Sequence, residues 1–134
     1  MADRQELERA VERDIPGRDA RRLAEVVPNV VAALDPRERI VKTAAGNWFN
    51  DKRCLIVVTR RHIVVASGDR VDAIPFERIL SVDYSESWRK ARINIRAQGV
   101  AADVKDIHLD SAREIKTLIN TARRTPAPSA SPPA

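Results

Sequence analysis

Residues 53–67, RCLIVVTRRHIVVAS, carry the strongest structural signal in the chain. Two apolar runs, 55–58 and 63–66, flank the polar tetrapeptide 59–62. β-Branched residues dominate both runs, and their stiff side chains suit a pleated strand better than a helix. A short polar break between two such runs predicts a β-hairpin, which we interpret as the centre of a small β-barrel.

The composition indicates one domain with an aliphatic core. A chain of 134 residues with 43% hydrophobic residues can bury a core without disulfides. Aromatic residues make up only 4%, so Val, Ile, Leu and Ala must fill that core. The single cysteine, Cys54, excludes an internal disulfide and fits a reducing compartment. The N-terminal stretch is charged and no apolar run approaches the roughly 18–20 residues of a membrane span, so a cytoplasmic location is expected.

The net charge of +5 is unevenly distributed. Residues 37–124 contain 18 basic and 11 acidic residues, whereas residues 1–36 contain 6 basic and 8 acidic residues. The positive charge therefore belongs to the predicted β part. It permits an anionic partner without selecting among nucleic acid, a lipid headgroup and an acidic protein.

Helical periodicity marks the N-terminal end. The apolar positions proposed as interaction residues are Leu7, Val11, Leu23 and Val27. A first helix over 2–14 is ended by Pro16-Gly17, and a second begins near residue 19. Pro28 either kinks the second helix or lies in the first turn of a short third one. The narrow apolar stripes can dock on the barrel of the same chain or on a second copy, and the sequence leaves both open.

From residue 37 onward the apolar period changes to two, and seven short strands are predicted. Their expected bounds are 39–45, 53–59, 62–67, 70–74, 79–85, 88–97 and 100–109. Pro75 disfavours a central ladder position, so the chain is expected to bend there. The alternation slips inside the last strand, and a β-bulge near Lys105-Asp106 would restore it. Seven short strands with polar turns favour a sandwich or barrel.

A helix is predicted to follow the strands. Ser111 to Glu114 match a capping box, and Ile115, Leu118 and Ile119 continue as an apolar stripe. One face of this helix should cover the barrel. The tail 125–134, TPAPSASPPA, has four prolines and no charge, and it is expected to be disordered.

Seven strands and a closing helix make residues 37–124 resemble bacterial pleckstrin-homology-like (PH-like) domains of the YokE-like type. Residues 55–65 look like the family's strand, Thr-x-x-Arg-type turn and strand, with Arg61 as the basic residue and His62 where an Arg is expected. Residues 74–82 look like its apolar-Pro and Ile-x-x-Val segment. The resemblance implies an α+β, mainly β fold: a seven-stranded antiparallel, partly open barrel capped by the C-terminal helix.

The resemblance also sets the expected organisation and its functional range. Residues 1–36 form a helical hairpin extension outside it, 37–124 form the barrel with its helix, and 125–134 form the tail. It implies no conserved chemistry, since PH-like domains bind phosphoinositides, peptides or proteins, or act as scaffolds.

No catalytic, metal-binding or cofactor-binding constellation is recognisable. His62 is expected in a turn and His108 near a strand end, and neither has a cysteine or second histidine at metal spacing. There is no Gly-rich phosphate loop and no nucleophile elbow. Cys54 begins an apolar strand and is expected to be a buried structural thiol. Neither enzyme activity nor a cofactor is expected.

The strand 88–97 is the first candidate binding surface. Trp88, Lys90, Arg92 and Arg96 share one parity, while the small and aliphatic residues between them must face the core. An outward row of cations ending in a tryptophan suits single-stranded nucleic acid or an anionic headgroup. The alternative is an ordinary solvated sheet face.

The second candidate is the loop that holds Trp48 and Phe49, followed by Lys52 and Arg53. Adjacent aromatics in a loop can enter a membrane interface or a partner pocket, or fold back over the barrel mouth. Lys52 and Arg53 match the basic pattern of phosphoinositide-binding PH domains only approximately.

The sequence therefore favours a non-catalytic binding or scaffolding module that acts through protein–protein contacts, including self-association. The alternative is an anion-binding module for membrane lipids or nucleic acid on the basic strand face. Rising salt should weaken the second kind of binding and not the first.

Overall fold

The computed structural model describes residues 3–48, 52–68 and 70–124. Its helices are α1 (Arg4–Asp14), α2 (Gly17–Leu23), α3 (Val27–Ala33) and α4 (Leu109–Arg124). Its strands are β1 (Ile40–Trp48), β2 (Lys52–Thr59), β3 (His62–Ser67), β4 (Arg70–Pro75), β5 (Ile79–Ser87), β6 (Lys90–Ala97) and β7 (Val100–His108). Short 3-10 turns lie at Ala24–Val26 and Phe76–Arg78.

The seven strands form one antiparallel sheet in the order β4-β3-β2-β1-β7-β6-β5. The edge strands β4 and β5 are not paired with each other, so the sheet is not closed. Strand β1 joins the two halves of the sheet, because it pairs with β2 along its length and meets β7 where Asn47 lies opposite Lys105. The predicted fold, a partly open seven-stranded barrel with a C-terminal helix, is confirmed.

The inner face of the sheet is the side that carries the main core and is covered by α4. Ile56 of β2, Ile93 and Ile95 of β6, and Ile115 and Ile119 of α4 are all buried in this core. The hydrophobic stripe of α4 therefore lies where the sequence predicted it. Strand β6 alternates strictly, with buried residues facing α4 and polar residues facing solvent.

The outer face of the β1–β4 half carries a second hydrophobic cluster. Leu55 and Val57 of β2 and Val64 of β3 point away from the main core and are buried against the N-terminal helices. The helix residues of this cluster include Leu7, Val11, Leu23 and Val27. Strand β2 is therefore buried on both faces, which explains why its apolar residues are consecutive rather than alternating.

A polar network also fixes α1 to β1. The amide of Thr43 donates to Asp14 Oδ2 at 2.8 Å, and Lys42 Nζ lies 3.6 Å from Asp14 and 3.0 Å from Glu114 of α4. Burial by itself raises the pKa of Asp14, but the bonds from Arg13 and Thr43 and the charge of Lys42 outweigh it, so the pKa is lowered. The ionised carboxylate thus connects the N-terminal helices to the barrel.

Two predicted details of the helices have opposite outcomes in the structure. Pro28 lies in the first turn of a third helix, which settles the alternative of a kink. The capping box at Ser111 was wrong: β7 leads directly into α4 at Leu109, so Ser111 lies inside the first turn. Because α4 continues directly from β7, it begins two residues before Ser111, the residue that resembles an N-cap.

Three strand ends differ from the prediction by two or more residues. Strand β1 continues to Trp48 where a loop was expected, and β5 extends to Ser87. Strand β6 begins at Lys90 rather than Trp88. The predicted bulge in β7 is confirmed, because Asp106 has a φ of 56° and the pairing shifts register beside it.

Candidate functional site

The turn between β5 and β6 holds a tryptophan out to solvent. Ser87 pairs with Lys90, so Trp88 and Arg89 form a two-residue connection, with Arg89 at a φ of 59°. The side chain of Trp88 is 84% exposed, and the guanidinium of Arg89 lies 5.4 Å from the centre of its ring. This cation–π contact leaves a large apolar surface accessible.

Leu80 is exposed on the same edge strand. It is 62% exposed because it occupies a β-bulge: Ile79 pairs with Ala97 while Ser81 already pairs with Arg96. Sequence reasoning missed Leu80, although Ile79 and Leu80 are adjacent and cannot both face the core of a regular strand. In the described part of the chain, Leu80 and Trp88 are the exposed large hydrophobic residues.

The inner side of β5 is fixed to α4 by polar contacts. Arg113 donates two hydrogen bonds to Glu86 at 2.8 and 2.9 Å, and the Tyr84 hydroxyl donates to Glu86 at 2.6 Å. Lys116 lies 4.5 Å above the Tyr84 ring. The hydrogen bonds from Arg113, and to a smaller extent the one from Tyr84, lower the pKa of Glu86 to about 2. Burial, and to a smaller extent the hydrogen bond to Glu86, raises the pKa of Tyr84 to about 12. Strand β5 is thus held in place.

The basic strand face has the predicted orientation. Lys90, Arg92 and Arg96 are exposed, whereas the intervening residues of β6 lie in the core. Arg92 is occupied, because it donates two hydrogen bonds to Asp103 of β7 and thereby lowers the pKa of that carboxyl. Lys90 and Arg96 form no ion pair with a described residue. Two cations, rather than three, remain for a ligand on this face.

The second candidate surface is arranged differently from its prediction. Trp48 is only 2% exposed and belongs to the main core, with the guanidinium of Arg70 5.2 Å from its ring centre. Trp48 was expected in a loop, whereas it is the last residue of β1; its burial agrees with the alternative in which the ring folds back, because β1 extends far enough to direct it inward. Phe49 lies outside the described residues.

The basic neighbours of that loop also separate. Lys52 is exposed at the start of β2. Arg53 of β2 forms an ion pair with Asp19 of α2 and donates a hydrogen bond to Asn47 Oδ1 at 3.2 Å. These contacts hold α2 against the sheet. The bond from Arg53 lowers the pKa of Asp19.

The four interaction residues of the N-terminal helices are buried against the sheet of their own chain. Leu7 is fully buried, and Val11, Leu23 and Val27 lie in the same outer cluster. These side chains are therefore engaged within the chain, and a role in contacts between copies stays a prediction.

Nothing in the described ranges forms a metal site of three or more His, Cys, Asp or Glu side chains. Cys54 is buried, and burial raises its pKa to about 12. Within the same ranges, we find no helix with the length and apolar character needed to cross a membrane.

Comparison with known proteins agrees with this architecture. Residues 34–121 match the family described as Bacterial PH domain, which is more than half of the chain. The chain therefore belongs to the bacterial PH domain family, and the resemblance found in the sequence is confirmed. No curated protein matches the chain.

Two solved structures show the likeness in three dimensions. The C-terminal domain of an unknown protein from Leishmania infantum is 12% identical, with 73% of this chain and 92% of that chain covered and a TM-score of 0.54. A DUF1696 family protein with a pleckstrin-homology domain from Shewanella loihica PV-4 is 14% identical, with coverage of 75% and 96% and a TM-score of 0.47. At this identity the first similarity concerns the fold alone.

Proposed function

We propose that this protein is a non-catalytic binding module that acts through protein–protein contacts along the edge of β5, which carries exposed Leu80 near its start and is followed by exposed Trp88. Domains of this family commonly mediate binding or scaffolding, and the fold alone does not choose the partner. The observation that carries the proposal is the exposure of these two side chains, at 62% and 84%, in a protein that buries its other large apolar residues in the described ranges fully or partly.

Two physical features of this surface support a protein partner. Tryptophan is enriched among the residues that dominate binding energy, because one ring buries about 150–250 Å² of surface. Strand β5 is also an edge strand with no neighbouring strand on one side, and its Leu80 carbonyl accepts a hydrogen bond from Arg123 of α4 at 3.3 Å. A partner strand can add to such an edge through main-chain hydrogen bonds while Trp88 anchors beside it.

A second copy of the chain is one partner that this surface suits. An antiparallel edge can pair with itself about a two-fold axis, which gives the same contacts on both copies. Self-association therefore requires no further feature than the edge of β5, Leu80 and Trp88.

The test uses the full chain and two exposed substitutions, Trp88→Ala and Leu80→Ala, with Lys52→Ala as a matched exposed control. Sedimentation of each protein over a range of concentrations measures self-association, and cross-linking in cells measures contacts with other proteins. Truncating an anchor at an interface weakens binding by about tenfold or more. We expect that loss for Trp88→Ala, a smaller one for Leu80→Ala and none for the control, at unchanged melting temperatures.

Contacts that persist in both surface variants would contradict the proposal. An equal loss of contacts in Lys52→Ala would contradict it as well, because the loss would then not be specific to Leu80 and Trp88.

Anion binding on the basic strand face is the second candidate function. Its support is that Lys90 and Arg96 are exposed without a described ion-pair partner, on the strand that follows exposed Trp88. A single-stranded oligonucleotide or an anionic vesicle should then bind less tightly as salt rises, and Lys90→Ser with Arg96→Ser should abolish that binding. Binding that is insensitive to salt would contradict this alternative.

The proposed organisation assigns the binding module to residues 37–124 and a supporting role to residues 1–36, whose helices α1–α3 cover the outer face of the β1–β4 half of the sheet. The tail 125–134, expected to be disordered, lies outside the described residues. A single buried cysteine fits the proposed cytoplasmic location, which cell fractionation would test.

A further inference from the structure

A cavity of about 260 Å³ that is lined by charged residues lies beside the turn between β2 and β3. Its walls come from the segment before β1 and from the turn itself. The lining residues are Asp35, Arg37, Glu38, Arg39, Arg60 and Arg61. This site is separate from the edge of β5 that carries Leu80 and is followed by Trp88, and it shares no residue with that edge.

The turn that contributes Arg60 and Arg61 is held by hydrogen bonds. The Thr59 hydroxyl oxygen accepts from the amide of Arg61 at 3.1 Å and from the amide of His62 at 3.0 Å. The carbonyl of Arg61 accepts from the amide of Phe76 at 2.9 Å. The backbone that presents the two arginines is therefore fixed at three points.

The second wall is fixed in the same way and tied to the first. Asp35 accepts from the amide of Arg37 with its side chain and from the amide of Glu38 with its carbonyl, both at 2.9 Å. The buried carboxylate of Glu38 is hydrogen-bonded to the ring of His62. The two arginine-bearing segments thus face a common space in a defined arrangement.

The charge in this space is not balanced. None of the four arginines of the cavity forms an ion pair with a described residue. Elsewhere in the protein, Arg13, Arg53, Arg92 and Arg113 each pair with a carboxylate. Four exposed arginines and two carboxylates line the cavity, so it carries an excess of positive charge that attracts an anion.

We propose that this cavity binds a small phosphate-bearing anion. The planar guanidinium matches phosphate oxygens through paired hydrogen bonds, which makes clustered arginines suited to this group. The volume lies just below the roughly 300–1,000 Å³ typical of drug-sized ligands, so the ligand is small. Among the residues that the structure describes, none that lines the cavity is aromatic, so stacking of a nucleic-acid base has no platform on them.

Glu38 adds a reason to select phosphate over sulfate. Its second carboxylate oxygen is buried and has no hydrogen-bond partner among the described residues. A buried acceptor is costly until a donor reaches it. A phosphate monoester or inorganic phosphate carries a proton during part of the time near neutral pH and can donate it, whereas sulfate is an acceptor only.

The test titrates the full chain with pyrophosphate, inorganic phosphate and sulfate at constant ionic strength, with calorimetry as the readout. The cavity variant is Arg37→Ser with Arg60→Ser. The control is Arg18→Ser with Arg22→Ser, which removes the same charge from exposed positions of α2, near the other end of β2. We expect the phosphates to bind more tightly than sulfate, the cavity variant to lose about tenfold or more in affinity, and the control to bind as the parent does.

Vesicles identify the source of the phosphate group. Phosphatidic acid carries a phosphate monoester, and phosphatidylserine vesicles of equal charge do not. Binding of pyrophosphate indicates a soluble ligand, and binding of phosphatidic acid alone, lost in the cavity variant, indicates a lipid headgroup; both support the proposal. It is overturned if neither probe binds, if sulfate binds as well as phosphate, or if the control loses affinity as much as the cavity variant. Unchanged melting temperatures confirm that the variants are folded.

Discussion

The β1–β4 half of the sheet and the β5–β7 half are covered in different ways. Both share the inner core with α4, but the outer face of the first half is buried under α1–α3, whereas the outer face of the second half is open to solvent. The consecutive apolar residues of β2 and β3 match burial on both faces. The alternating residues of β6 match burial on one face.

This difference concerns the apolar surface that the proposed protein contacts would use. The first half has little exposed apolar surface left, because Leu55, Val57 and Val64 are already covered by the helices. The second half retains the exposed residues Leu80 and Trp88 and the open edge of β5. The N-terminal helices therefore bury the outer face of one half of the sheet and leave the outer face of the other half exposed.

The largest effect is expected from removing the helical layer. A chain that begins at Asp35 would expose the outer cluster of β2 and β3, a contiguous apolar surface of the kind that causes association. We expect this shortened protein to aggregate or to associate, while the full chain does not precipitate under the same conditions. Light scattering after size-exclusion chromatography measures it. A monomeric shortened protein with the melting temperature of the full chain would show that the helices are dispensable.

A charge placed on the outer face should distinguish the two halves directly. Val57→Asp buries an unpaired carboxylate beneath α1–α3 and should cost about 4 kcal/mol or more in the free energy of unfolding. The matched change on the open half, Ala101→Asp, should stay within about 0.5 kcal/mol because Ala101 is exposed. Urea denaturation compares them. Similar losses for both variants would contradict the asymmetry.

The junction of the two halves should be sensitive to one added methyl group. A Cβ on Gly46 of β1 would lie 2.5 Å from Val104 Cγ1 and 3.0 Å from Ile107 Cγ1 of β7. Gly46→Ala should therefore destabilise the protein by about 1–3 kcal/mol. Gly17→Ala is the control, since no atom lies within 4 Å of its added Cβ. Thermal unfolding of both variants checks this, and equal stability would mean that β1 and β7 can separate without cost.

The smallest effect on stability is expected when the pH is lowered. The pKa of Glu86 is lowered from 4.5 to about 2, so the contact with Arg113 is fully present above pH 4.5 and is lost as the pH falls toward 2. The change in stability should be small because the pair is exposed and screened. In Arg113→Ala, an NMR titration should find the pKa of Glu86 shifted back upward. Arg92→Ala should leave Glu86 unchanged, and a shift there would show that the two pairs are coupled.

The sequence predicted much of the fold because short-range signals agree with one another. The bulge at Lys105-Asp106 followed from a break in alternation, and the stripe of α4 followed from helical spacing. The capping box failed because Ser111 fits a cap by residue type while the backbone before it is already helical. Local residue types identify an element more reliably than they identify its first residue.

The candidate surfaces were harder to predict, since exposure depends on distant parts of the chain. The outward parity of Lys90, Arg92 and Arg96 was visible in the alternation, but the pairing of Arg92 with Asp103 depends on the register of β6 and β7. Trp48 was expected in a loop, with an exposed and a folded-back ring both left open, and its burial depends on how far β1 continues.

The sequence by itself determined the fold class, the order of the elements and the parity of the strands, because periodicity of two or about 3.6 residues is a local property of the backbone. Only the tertiary structure decided which faces are covered. In it, Leu7 and Val27 pack on the chain's own sheet, Arg53 forms an ion pair with Asp19, and Arg37 and Arg60 line one cavity. The physical reason is that contacts between residues far apart in sequence are selected by packing and charge pairing, which no local pattern specifies.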